Sequence, residues 1–269
     1  ELRPELQVHL QGLADSVHPN CARVLTFNAN MDDRDGHMCL YREFAPQTLL
    51  EQIVEWEEKG RYTTGIRLKR IALHMARGMS FLHKNRVHHG LLSASNVLID
   101  DDSEERTVKI SDYGLSFVYA PALLKLCSDN LGAALPPEWL NRKRHSKELP
   151  TIEKPIKGCL HPYDGAAADL WQFGCVIMHM MTQAELPDNI NEAHDDDELT
   201  DMLYEHMESG GPLHSTSLVD LSDARADKGH LKGLFDVVRD CMRLDPKERR
   251  SFDDIAEEIS DIGTDKLSY

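Results

Sequence analysis

Aromatic residues are sparse in this chain, and no apolar run approaches the roughly 18 residues that a membrane-crossing helix needs. No charged-then-apolar start marks a signal peptide, so the reading is of a protein without direct membrane insertion. The cysteines form no Cys-x-x-Cys pair, which removes the commonest zinc and redox patterns. Positive charge is short: 30 Lys and Arg stand against 46 Asp and Glu, and the net charge of −16 repels nucleic acid and anionic lipid surfaces at long range. Internal repeats and low-complexity tracts are absent too. What remains is an ordinary globular composition over 269 residues, enough to bury a full-sized core. Six scattered cysteines read as reduced, packed thiols, and the expected setting is cytoplasmic.

Apolar spacing places the elements. Leu6, Leu10, Leu13 and Val17 recur at helical intervals and stop at His18-Pro19-Asn20. Cys21 to Asn30 and His37 to Phe44 read as strands. Leu49 to Lys59 is a short amphipathic helix, and Thr63 to Lys84 a longer one, with Ile66, Ile71, Ala72, Met75, Met79 and Leu82 on its buried side. Asp169 to Met181 is apolar nearly all round and therefore central. Leu199 to Ser209, His230 to Arg243 and Phe252 to Ile262 supply further helices, with Ser251 and Asp253 as caps. His74, His83 and His88 read as helix and loop-start residues rather than metal ligands, since no second ligand sits at zinc-like spacing.

The densest chemistry lies between Val87 and Gly114. A tight loop, a strand from Asn96 to Asp100, an acidic turn and a strand from Val108 to Ser111 put Asn96 and Asp112 at the mouths of adjacent strands. There an amide oxygen and a carboxylate can share a divalent cation with phosphate oxygens. This stretch resembles the catalytic centre of the protein kinases, in which His-Arg-Asp-Leu-Lys-x-x-Asn is followed by Asp-Phe-Gly. The resemblance implies an α+β kinase-like fold. Residues 1–44 would be the remainder of a small lobe and 45–269 the helical large lobe. The glycine-rich phosphate loop and its lysine strand would lie ahead of Glu1. Glu43 and Ala45, around the hinge, would meet the nucleotide together with Asn96 and Asp112, and the last two would hold Mg with ATP as the ligand. Arg42 falls where a residue usually gates the adenine pocket, and is expected to crowd it, alter its charge or turn to solvent.

Further matches are of the structural kind. His89 would pack under Tyr113, next to Gly114; Asp169 would accept from the backbone of the His89 loop; Glu138 would pair with Arg249. The departures cluster on the chemistry. The base position is Leu91, which cannot accept a proton from a substrate hydroxyl. Gly90 stands where regulated kinases clamp a loop phosphate, and Ser93 where a lysine meets the transferred phosphate. The resemblance is nearest to the tyrosine-kinase-like pseudokinases. The first expectation is therefore a non-enzyme: a scaffold or allosteric regulator acting through a protein partner or other domains of a larger protein. A weak or unconventional ATP-dependent protein kinase is the second, and an interaction module with an empty pocket the third. A basic insertion at about 141–165 is unusually long for a connection and would suit an acidic or phosphorylated ligand, or be a solvated loop.

Overall fold

Residues 11–30, 37–100, 107–114, 136, 165–183, 198, 201–202, 205 and 228–264 are described by a computed structural model. Strands β1 (Val24–Asn30) and β2 (His37–Arg42) form an antiparallel hairpin whose register runs from Val24 opposite Arg42 to Asn30 opposite His37. A second sheet is built from β3 (Gln47–Thr48), β4 (Val97–Asp100) and β5 (Thr107–Ile110), antiparallel and in that order. Its outer edge is extended by the chain ahead of β1: Ile110 donates to the Asn20 carbonyl at 2.8 Å, and Ala22 donates back to Ile110 at 2.7 Å. The Asn20 amide reaches the Val108 carbonyl as well, at 3.0 Å.

Helices supply the rest. The first, α1 (Leu49–Glu58), opens on a reciprocal capping box between Thr48 and Glu51. The long α2 (Gly65–Lys84) is capped by Thr64 and buries Leu68, Ile71, Ala72, Met75, Ala76, Met79 and Leu82. Ile66, expected on that buried side, is 63% exposed, because it lies off the three-and-four spacing that runs through Leu68 and Ile71. The central α3 (Gly165–Thr182) buries Trp171 and Phe173 completely. Against it packs α4 (Lys228–Cys241), while α5 (Phe252–Asp261), with a capping box of Ser251 and Asp254, packs chiefly on α2 and meets α3 where Phe252 stands edge-on to Phe173. Asp253, expected as a cap, instead binds Ser80 and Lys84 of α2 and ties the two helices together. Helix α2 also lies close against the chain at Gly78, where a Cβ would fall 2.5 Å from the Asn20 carbonyl oxygen.

Cys21 and Cys241 are buried free thiols and Cys175 a partly buried one, and burial pushes Cys21 and Cys175 up to about 12, which disfavours the thiolate. No helix among the described residues is long and apolar enough to cross a membrane. Glu138, the basic insertion up to residue 164 and most of the helix expected at Leu199 to Ser209 lie outside the described residues.

Candidate active site

The loop from His89 to Asn96 is held from behind by α3. Asp169, fully buried, accepts from the His89 N–H at 2.8 Å and the Gly90 N–H at 2.7 Å, and from the His83 ring at 2.8 Å. Burial alone would raise its pKa; the His83 hydrogen bond and charge, the nearby His89 ring and the Gly90 N–H outweigh that and hold the carboxyl below its usual range. Gly90 takes φ +78°, a left-handed conformation that suits glycine, so the arginine-to-glycine departure also relieves the backbone at the point where Asp169 grips it. One turn further along α3, Gln172 grips the same loop twice. Its oxygen accepts from the Leu92 N–H at 2.9 Å, and its amide donates to the Gly90 carbonyl at 3.1 Å. Sequence reasoning missed Gln172, although a second polar residue three positions after Asp169 in so apolar a helix was the available signal.

His89 is fully buried, and burial pushes its pKa down, so the ring is neutral at pH 7. Its neighbours fix the tautomer: Nδ1 accepts from the Leu91 N–H at 3.3 Å, and Nε2 donates to the Ser111 carbonyl at 3.0 Å. The ring thus links the loop to the residue before Asp112. Tyr113, also buried, donates its hydroxyl to the Ala22 carbonyl at 2.9 Å, and Gly114 follows at φ +70°. Arg249 is nearly buried, donates to the carbonyls of Arg243 and Ala167 at 2.9 Å, and lies over the Trp171 ring.

The cleft-facing side is built differently. Asn96 closes a short 3-10 turn (Ala94–Asn96), and its amide nitrogen donates to the Leu91 carbonyl at 2.9 Å, which leaves the side-chain oxygen as the atom suited to a hard cation. Ser111 donates its N–H to the Asn96 carbonyl at 2.8 Å, so the two strand mouths are locked side by side. Asp112 follows with φ +57°, a sparsely populated conformation for a residue with a Cβ and one that concentrates at functional sites. Its carboxylate is a third exposed, receives the Ser111 hydroxyl at 3.3 Å, and lies 3.4 Å from Nε of Arg42. Arg42 therefore turns inward to Asp112 rather than to solvent. Leu91 is half-buried in the loop, where a base would stand. At the hinge Glu43 is engaged by Lys109 and by the Arg23 N–H; burial opposes its charge, but the Lys109 hydrogen bond leads the effects that keep its carboxyl below the usual range. Phe44 is 86% exposed and Ala45 half-buried.

Asn96 and Asp112 are the side chains that could hold a divalent cation: each offers a hard oxygen, from two strands whose ends are hydrogen-bonded together. A second cluster is unexpected from sequence spacing. His83, His88 and Asp169 each offer a ligand atom within 4.8 Å of the others. Here the His83 ring is hydrogen-bonded to Asp169, and that carboxylate already receives three donors, which accounts for the cluster without a cation.

Comparison with known proteins places these features. The protein kinase domain pattern matches residues 2–259. The chain is 27% identical over 249 residues to the human lymphokine-activated killer T-cell-originated protein kinase, covering 90% of this chain and 70% of that protein. It is 27% identical over 177 residues to cyclin-dependent kinase E-1 of Arabidopsis thaliana, covering 63% of this chain and 33% of the relative. To the tyrosine-protein kinase receptor torso of Bombyx mori it is 24% identical over 239 residues, 88% of this chain and 25% of the receptor. The chain thus spans a third or less of the last two relatives. The expectation of a non-enzyme, drawn from Leu91, is overturned by this set, in which the matching pattern and the relatives' names alike are those of kinases. One aliphatic residue at the base position does not by itself remove the class. With that pattern running over nearly its whole length, the chain belongs to the protein kinase domain family.

Proposed function

We propose that the chain is a slow, unconventional ATP-dependent protein kinase, with Asn96 and Asp112 as the metal-binding pair and no general base at position 91. The observation that carries this reading is Asp112, held at φ +57° beside Asn96 with its carboxylate partly open to the cleft. Phosphoryl transfer proceeds through a loose transition state, so positioning and charge neutralisation supply most of the rate. A divalent cation at Asn96 and Asp112 would neutralise phosphate charge. The chain's own task is to hold those two ligands in register, which the Ser111-to-Asn96 hydrogen bond and the Asp169 and Gln172 grips achieve. Glu43 and Ala45 would meet the adenine through the hinge main chain. The Asp-Tyr-Gly run and the His-Gly-x-Leu pattern favour the tyrosine-kinase-like branch within this reading.

Absence of a base costs about 10²–10⁴ in rate. Transfer of labelled γ-phosphate from ATP, to the chain itself or to a generic protein acceptor, is therefore expected to be slow but measurable. Asp112→Asn should abolish it, and Leu91→Asp should raise it by at least about 10-fold. Transfer no faster than in Asp112→Asn would overturn the proposal.

A further inference from the structure

Arg42 ends β2, and its guanidinium approaches the Asp112 carboxylate to 3.4 Å, with each side chain about a third exposed. Lys109 is engaged by Glu43, and Arg23 also lies by that carboxylate. Among the described residues, Arg42 is thus the cation that the structure sets against the metal-binding carboxylate. Such a partly exposed pair is weak, because water and salt compete for both ends. A polyphosphate is a stronger acceptor, and the planar fork of arginine matches it with two parallel hydrogen bonds. Any phosphate whose metal is held by Asp112 lies within a few ångströms of that carboxylate, because metal–oxygen bonds are short, about 2.0–2.1 Å. The Arg42 head group already reaches the same place.

We propose that Arg42 is a phosphate-binding residue of the nucleotide site, exchanging its Asp112 partner for the phosphates when nucleotide and metal enter. The inference rests on Asn96 and Asp112 forming that site. It assigns to the position that gates the adenine pocket a charge-recognition task, and it makes the site selective for phosphorylated nucleotides over the bare nucleoside. The exchange leaves no charge stranded: Asp112 passes from guanidinium to metal as Arg42 passes from carboxylate to phosphate.

The test is calorimetric titration of the full chain with ATP, ADP and adenosine, with and without Mg, for the wild type, Arg42→Met and Arg42→Lys. Arg42→Met is expected to weaken ATP and ADP about 10-fold or more while leaving adenosine within about 2-fold, since a charge-assisted bond is lost and no apolar contact is. Arg42→Lys should fall between, keeping the charge but not the fork. Tighter binding of Mg-ATP by Arg42→Met would overturn the inference, showing that Arg42 only competes with the metal for Asp112. Equal weakening of adenosine, or no change in any ligand, would also overturn it while leaving the nucleotide site standing. Failure of the wild type to bind any of the three would remove the site itself. Unfolding melts of both variants confirm that the comparison is made between folded proteins.

Discussion

The two sides of the loop from His89 to Asn96 differ in every physical respect. Behind it, Asp169 and Gln172 are buried and grip the loop, including its buried first residue His89, through short hydrogen bonds. In front, Asp112 and Arg42 are partly exposed, and their main tie is a single loose ion pair. A buried polar group left without a partner costs its full desolvation, whereas an exposed one can turn to water. The rear wall is thus where substitution damages folding, and the front is where it can change chemistry at small cost.

The sharpest way to break this contrast is Asp169→Ala, which strands the N–H groups of His89 and Gly90 and the His83 ring. A loss of about 3–5 kcal/mol is expected in urea unfolding. Gln172→Ala strands the Leu92 N–H and the Gly90 carbonyl, and about 2–3 kcal/mol should be lost in the same measurement. Gly78→Val tests the close approach of α2 to Asn20: a side chain there must displace backbone, and about 1–3 kcal/mol is expected from the thermal midpoint. The front should respond least. Arg42→Met is expected to change stability by no more than about 1 kcal/mol, whatever it does to nucleotide. A larger loss there than at Gln172 would erase the distinction.

Acid should act on the rear wall through His89, alongside His18 and His74, whose pKa values burial also lowers. His89 is depressed in the folded state, so below the ordinary histidine range of about 6.5 the unfolded chain binds a proton that the folded one refuses, and stability falls as pH drops. Asp169 is depressed as well; its contribution is present above the ordinary aspartate value and is lost further into acid, as pH falls through its folded pKa. Urea midpoints across pH 7 to 5 should decline in the wild type, and His89→Gln should flatten the decline.

Much of this architecture was legible in the chain because it is local. The apolar spacing of Leu68 to Leu82 marks α2 to within two residues, Ser251 marks the start of α5, and the short apolar stretches at Val97–Ile99 and Val108–Ile110 mark β4 and β5. The candidate site was legible to the extent that Asn96 and Asp112 were placed together. What could not be read were pairings across long sequence separations, such as Arg42 with Asp112, Lys109 with Glu43, and Gln172 with Leu92. These depend on how strands and helices cross in space, and no periodicity encodes that. Ile66 failed for the opposite reason: an apolar residue outside the stripe was counted as part of it.

The segment from Asn20 to Ala22 is stitched edgewise to β5, and the Tyr113 hydroxyl closes onto the Ala22 carbonyl. The leading hairpin and the strand that delivers Asp112 therefore share a handle. Any force that tilts the hairpin would haul on the Asp112 carboxylate without touching the loop from His89 to Asn96.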